Sequence, residues 1–189
     1  APNTAEVWAE HSVWPHDPGF VTALAGGITS LQILPGSANL IGGRGVTLKN
    51  IPGQSVMEMK FPGAPHGMKM ACGENPKRVY GSRRQPPSTR MGNVAGYRAA
   101  WIEASDYRDE IEKANKGQGK PPKRDLKLET LVGVLNGEIL VHNHCYRADE
   151  MSVMLEIAKE FNYKVGTFHH AVEAYKIADL LRETDTCAA

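Results

Sequence analysis

Residues 138–145 read Glu138-Ile139-Leu140-Val141-His142-Asn143-His144-Cys145, a mostly apolar run closing on two histidines at i and i+2. In an extended strand that spacing turns both imidazoles to one face. A second run, Lys164-Val165-Gly166-Thr167-Phe168-His169-His170, also ends in histidine, and one amphipathic helix's length separates the two. This order predicts a βαβ unit whose histidines gather at the carboxyl edge of a parallel sheet, where a metal site is expected. Adjacent strand residues point to opposite faces, so only one of His169 and His170 is expected to serve the site.

Outward from this unit, the chain reads as αβ alternation. Asp149 is the expected cap of a helix through Phe161, with Met151, Met154, Leu155, Ala158 and Phe161 on one face. A last helix is expected over Val172–Arg182. Upstream, Asp125 caps a helix carrying Leu128, Leu131, Val132 and Leu135, which Gly137 ends. Residues 117–123 read as a flexible basic Pro/Gly linker. Before it, Asn93 is the expected cap of a long helix over Val94–Lys116, with Tyr97, Trp101, Ala104 and Tyr107 as a packing stripe.

Nearer the N-terminus, the pattern predicts short helices over Thr4–His11 and Phe20–Ala25, the latter capped at Asp17 and ended by Gly26-Gly27. A strand is expected over Ile28–Leu34. Gly36–Gly45 then reads as a glycine-rich loop, either a turn-rich connection or an anion cradle helped by Arg44. It lacks the phosphate-loop Gly-Lys-Ser/Thr ending. Val46–Lys49 and Val56–Lys60 suggest a small hairpin. Gly67-Met68-Lys69-Met70-Ala71-Cys72-Gly73 is a better strand, followed by a strand-end loop over Gly73–Arg78. His11 and His16 read as surface or pocket-rim residues. The basic, Pro-rich Ser82–Arg90 stretch reads as solvated loop.

The totals set limits. A chain of 189 residues with 41% hydrophobic and 23% charged residues has the composition of one globular domain. A net charge of +1 gives no reason to expect nucleic acid or an anionic membrane as partner. No stretch approaches the roughly 18 apolar residues of a membrane helix. Cys72, Cys145 and Cys187 are too widely spaced to read as a disulfide framework, which favours a reducing compartment. Because the chain begins Ala1-Pro2-Asn3, localisation is left open.

Neutral imidazole suits zinc and other first-row divalent ions, which need three or four converging ligands. His142 and His170 could converge, with His144 or His169 adding a ligand or binding substrate. Lys69 has two readings. It can extend its ammonium from a barrel rim. Alternatively, desolvation lowers its pKa and it takes up carbon dioxide as a carbamate bridging two metals. Glu74 is the alternative carboxylate.

Gly67-Met68-Lys69-Met70-Ala71, Val141-His142-Asn143-His144 and Phe168-His169-His170 resemble the strand-four lysine, strand-five histidine and strand-six histidine of the metal-dependent amidohydrolase superfamily. Imidazolonepropionase-like and prolidase-like members look nearest. Gly26-Gly27-Ile28-Thr29-Ser30 resembles the entry to strand two of that group. The resemblance implies a (β/α)8 TIM barrel, here a partial one of about strands 2–6, with one or two zinc or other divalent ions. It implies hydrolysis of C–N bonds (amide, cyclic amide or dipeptide) by metal-activated water. It makes His142 and His170 ligands, Lys69 a carboxylated bridge, and His144 and Tyr146 pocket residues.

The family's first-strand His-x-His does not occur, and its general-base aspartate would fall beyond Ala189. A full barrel takes about 250 residues. Residues 1–189 are therefore expected to be the central segment of a larger hydrolase, inactive alone, with a small-molecule substrate and the rest of the barrel as partners. A homo-oligomer is left open. The alternative is a non-catalytic α/β module that binds a ligand or protein and keeps its histidines for structure.

Overall fold

Alternation along the strand at 139–144 separates two chemistries. Ile139 and Val141 join the apolar core, while His142 and His144 turn to the other face. In the computed structural model, which describes residues 1–189, this strand is the fourth of a six-stranded sheet ordered β1-β2-β3-β4-β5-β6. The strands are β1 (Ser30–Ile33), β2 (Ile41–Lys49), β3 (His66–Ala71), β4 (Ile139–His144), β5 (Val165–His169) and β6 (Cys187–Ala188). β3 to β6 run parallel, whereas β2 is antiparallel to both β1 and β3. The sheet is a half-barrel, in keeping with the partial-barrel expectation.

The helices are α1 (Pro18–Ala25), α2 (Val56–Met59), α3 (Glu74–Gly81), α4 (Arg90–Asn115), α5 (Leu126–Leu135), α6 (Ala148–Phe161) and α7 (Ala178–Glu183). α4, α5 and α6 place Tyr97, Trp101, Leu131, Met151 and Met154 against Met68, Met70, Val141 and Phe168 of the sheet. Each such side chain contributes about 1.5–3 kcal/mol on burial. The Tyr97–Tyr107 stripe is thus packing, as its spacing implied. Asp17 and Asp125 cap α1 and α5 as expected, accepting from Gly19 N–H and from Lys127 and Leu128 N–H.

Several expectations are corrected. Gly36–Gly45 is not one loop, because β2 begins at Ile41 and contains Gly42, Gly43 and Gly45. Gly43 and Gly45 make room for neighbouring backbone: a Cβ on Gly43 would lie 2.3 Å from the Val7 carbonyl oxygen, and one on Gly45 2.8 Å from the Ile33 carbonyl oxygen. Val46–Lys49 belongs to β2 and Val56–Met59 is a helical turn, so no hairpin joins them. Gly73–Arg78 is mostly helix α3, entered through Gly73 at φ 63°. Thr89, not Asn93, caps α4, and Asn93 is buried with its amide donating to the Gly73 carbonyl. Asp149 pairs with Arg147 instead of capping α6, whose first N–H at Ala148 meets the Glu173 carboxylate. Thr4–His11 forms only a 3-10 turn over Ala9–Ser12, and the last helix breaks into a 3-10 turn (Ala174–Ile177) followed by α7. Finally, Cys72 and Cys145, far apart in sequence, are disulfide-bonded because β3 and β4 end side by side.

Candidate active site

The face of the sheet opposite the helices carries the polar residues. Lys69 lies between Met68 and Met70, both buried in the core, so its side chain takes the other face of β3. In register, Lys69 pairs with His142 and Ala71 with His144, while His144 pairs with His169 on β5. Lys69, His142 and His144 are buried. A lysine and two imidazoles therefore share one strand-end region with little water.

The histidines sort into two pairs. His142 Nδ1 lies 3.0 Å from His169 Nε2, and the ring centres of His144 and His170 are 4.8 Å apart. The expected His142–His170 pairing is thus replaced by His142–His169 and His144–His170. The reason is backbone geometry. His170 has φ 57°, outside the strand, so the chain no longer alternates and both neighbouring imidazoles turn to the site. The expectation that one of them packs between strand and helix is corrected.

Polar neighbours then set the tautomers. The Gln32 amide nitrogen lies 3.0 Å from His142 Nε2, so that nitrogen accepts and Nδ1–H donates to His169. The Asn75 amide nitrogen lies 2.8 Å from His144 Nε2, and Ser37 Oγ lies 3.1 Å from its Nδ1. Lys69 Nζ donates to the Pro35 carbonyl at 3.1 Å and to Ser37 Oγ at 2.8 Å. Burial, then the charges of His169 and Lys69, holds the His142 pKa down to about 4. Burial, then His170, Lys69 and His169, does the same for His144. Burial lowers His169 and Lys69 as well. No carboxylate contributes to any of these shifts. At neutral pH the buried imidazoles are neutral, the form that ligates metals.

Tyr146 lies edge-on to His144 with ring centres 4.6 Å apart, as a pocket residue would. Glu74 is exposed at the start of α3 and makes no hydrogen bond or ion pair with the cluster. His11 is remote from the site, stacking on Trp8, which also meets His66 at the far end of β3. Gln32, Ser37 and Asn75 were not singled out in the sequence. Gln32 is a lone polar residue between Leu31 and Ile33, the one hint available; Ser37 and Asn75 sit beyond strand ends, where side-chain direction has no periodic signature. As ligand chemistry, the neutral nitrogens fit a divalent ion. No three His, Cys, Asp or Glu side chains converge as a ready ion site.

Parallel strands ending in a lysine and histidines, with helices on the other face, define an α/β half-barrel with its site at the carboxyl edge. The comparisons agree with this. No protein-family model matches. The amidohydrolase TasK of Hapsidospora irregularis is 35% identical over 94% of this chain, which spans 20% of that protein. A crystal structure of an amidohydrolase from Thermotoga maritima MSB8 matches with a TM-score of 0.94 and 40% identity, over 100% of this chain and 49% of its own. The chain is thus similar to amidohydrolases along nearly its whole length. It spans about a fifth and about half, respectively, of these relatives' lengths.

Proposed function

We propose that this chain forms the central barrel segment of a metal-dependent hydrolase acting on C–N bonds. The observation that carries the reading is the pair of buried, neutral imidazoles at one strand edge, His142 and His144 beside Lys69, with half-buried His169 next to them and His170 at their rim. Two relatives named amidohydrolase support the reaction class. A divalent ion there would supply an activated water and polarise the carbonyl of an amide, cyclic amide or dipeptide.

Among the candidate ligands, His144 and His170 are the pair we favour, with Lys69 beside them. His170 makes no hydrogen bond through its ring; His142 and His144 each have both ring nitrogens engaged, but His144 is the one whose ring lies beside that of His170, their centres 4.8 Å apart. His142 then serves to orient His169. Lys69, buried and with lowered pKa, has the reactivity that carbamate formation needs. Tyr146 would line the small-molecule pocket. The remaining ligands and the general base would come from segments of the larger protein beyond these residues, and residues 1–189 alone would be inactive.

A second reading has its own support. His142 and His144 each have both ring nitrogens satisfied within the protein, which suits structural histidines in a non-catalytic binding module. The test is made in the protein that contains this chain. Metal content and C–N hydrolysis that both fall on His170→Ala support the hydrolase. A metal-free protein, with hydrolysis unchanged in His170→Ala and His144→Ala, supports the binding module.

A further inference from the structure

Cys72 and Cys145 are the first residues beyond β3 and β4, and they are disulfide-bonded with Cα atoms 5.3 Å apart. Cys145 directly follows His144. Cys72 leads through Gly73 and Glu74 to Asn75, whose amide sits on His144 Nε2 at 2.8 Å. The disulfide therefore closes a small ring: the 72–75 turn, the Asn75 side chain, His144 and Cys145. Gly73, at φ 63°, is the hinge of that turn, and a Cβ there would lie 2.2 Å from the Glu150 carboxylate. Both sulfurs are buried, yet Cys72 lines a cavity of about 160 Å³ with Gly73, Arg90, Asn93, Tyr97 and Glu150. That cavity offers a small thiol its approach.

We propose that the Cys72–Cys145 disulfide is a redox-governed latch on the site. When oxidised, it holds the Asn75 amide on the Nε2 lone pair of His144. Reduction releases the turn and frees that lone pair for an incoming ligand. The reductant is an external dithiol. Its thiolate attacks Cys72 Sγ, the Cys72–Cys145 bond breaks, and Cys145 leaves as a thiolate that takes up a proton. The second sulfur of the dithiol then attacks the mixed disulfide, freeing Cys72 and closing the reductant's own disulfide. Two electrons pass from the dithiol to the protein. The inference rests on His144 being a site residue, not on the hydrolysis itself.

The experiment needs neither metal nor substrate, so its failure is distinct from failure of the hydrolase reading. In the oxidised protein that contains this chain, denatured without reductant, Cys187 should react with a thiol reagent while Cys72 and Cys145 react only after dithiothreitol, read residue by residue by peptide mass spectrometry. Reduction of the folded protein should speed amide exchange at Gly73–Asn75 by about tenfold or more. It should also shift the His144 Nε2 nitrogen resonance. The Cys72→Ser/Cys145→Ser variant should match the reduced protein; if it does not fold, the dithiothreitol-treated protein provides the comparison alone. Cys72 and Cys145 that react in the oxidised sample would overturn the proposal. So would exchange and a His144 resonance that reduction leaves unchanged.

Discussion

His169 and His170 are neighbours in the chain, yet both turn their imidazoles toward the same face of the sheet, one to His142 and the other to His144. The left-handed backbone of His170 makes this geometry available. β-branched residues pay most for that conformation and glycine least. His170→Val should therefore lose about 1–2 kcal/mol in urea denaturation, while His170→Gly stays near wild type. Equal losses for the two would place the strain elsewhere.

Acid should weaken the fold in a defined window. His142 and His144 titrate at about 4 in the folded chain, against 6.5 for a free histidine. Between those values the unfolded chain binds more protons, so stability rises with pH from about 4 to 6.5 and is lost as pH falls through the same range. Denaturation midpoints measured across pH 4–7 should show this slope, and His142→Gln should flatten it. A wild-type curve flat between pH 4 and 6.5 would show that these groups are not held neutral.

The Arg90–Glu150 ion pair closes the gap between α4 and α6, with the Glu150 side chain only 8% exposed. Arg90→Ala leaves that carboxylate buried without its partner and should cost about 3 kcal/mol. Arg147→Ala, at a pair whose side chains are 51% and 60% exposed, should cost far less, because solvent screens that pair. Urea denaturation of both variants measures the contrast.

Gly43 and Gly36 give a second contrast. Gly43 combines φ 118° with a blocked Cβ position, whereas a Cβ on Gly36 meets nothing within 4 Å. Gly43→Ala should destabilise by about 2–3 kcal/mol, through strain and displacement of the Thr4–Val7 segment. Gly36→Ala should stay within about 0.5 kcal/mol. Thermal denaturation of the pair checks this.

These positions also show where the sequence could be read. The β4–α6–β5 unit was legible because strand alternation and helical spacing are both strong there, and the Asp17 and Asp125 caps because a capping oxygen acts locally. The Gly42–Gly45 run misled because glycine marks crowding as well as turns, and the crowding partner, Val7, lies far away in sequence. The Cys72–Cys145 bond and the Gln32 and Asn75 contacts depend on which strand ends meet, which no local pattern encodes. The pairing of the histidines turned on one dihedral angle at His170.

Metal affinity of the protein that contains this chain, with Cys72 and Cys145 reduced, is the most direct test of the central claim, read by equilibrium dialysis against zinc for wild type, His144→Ala and His170→Ala. The account predicts stoichiometric binding by wild type and a loss of about tenfold or more in each variant. Wild type that binds no zinc, or variants that bind it as wild type does, would contradict it.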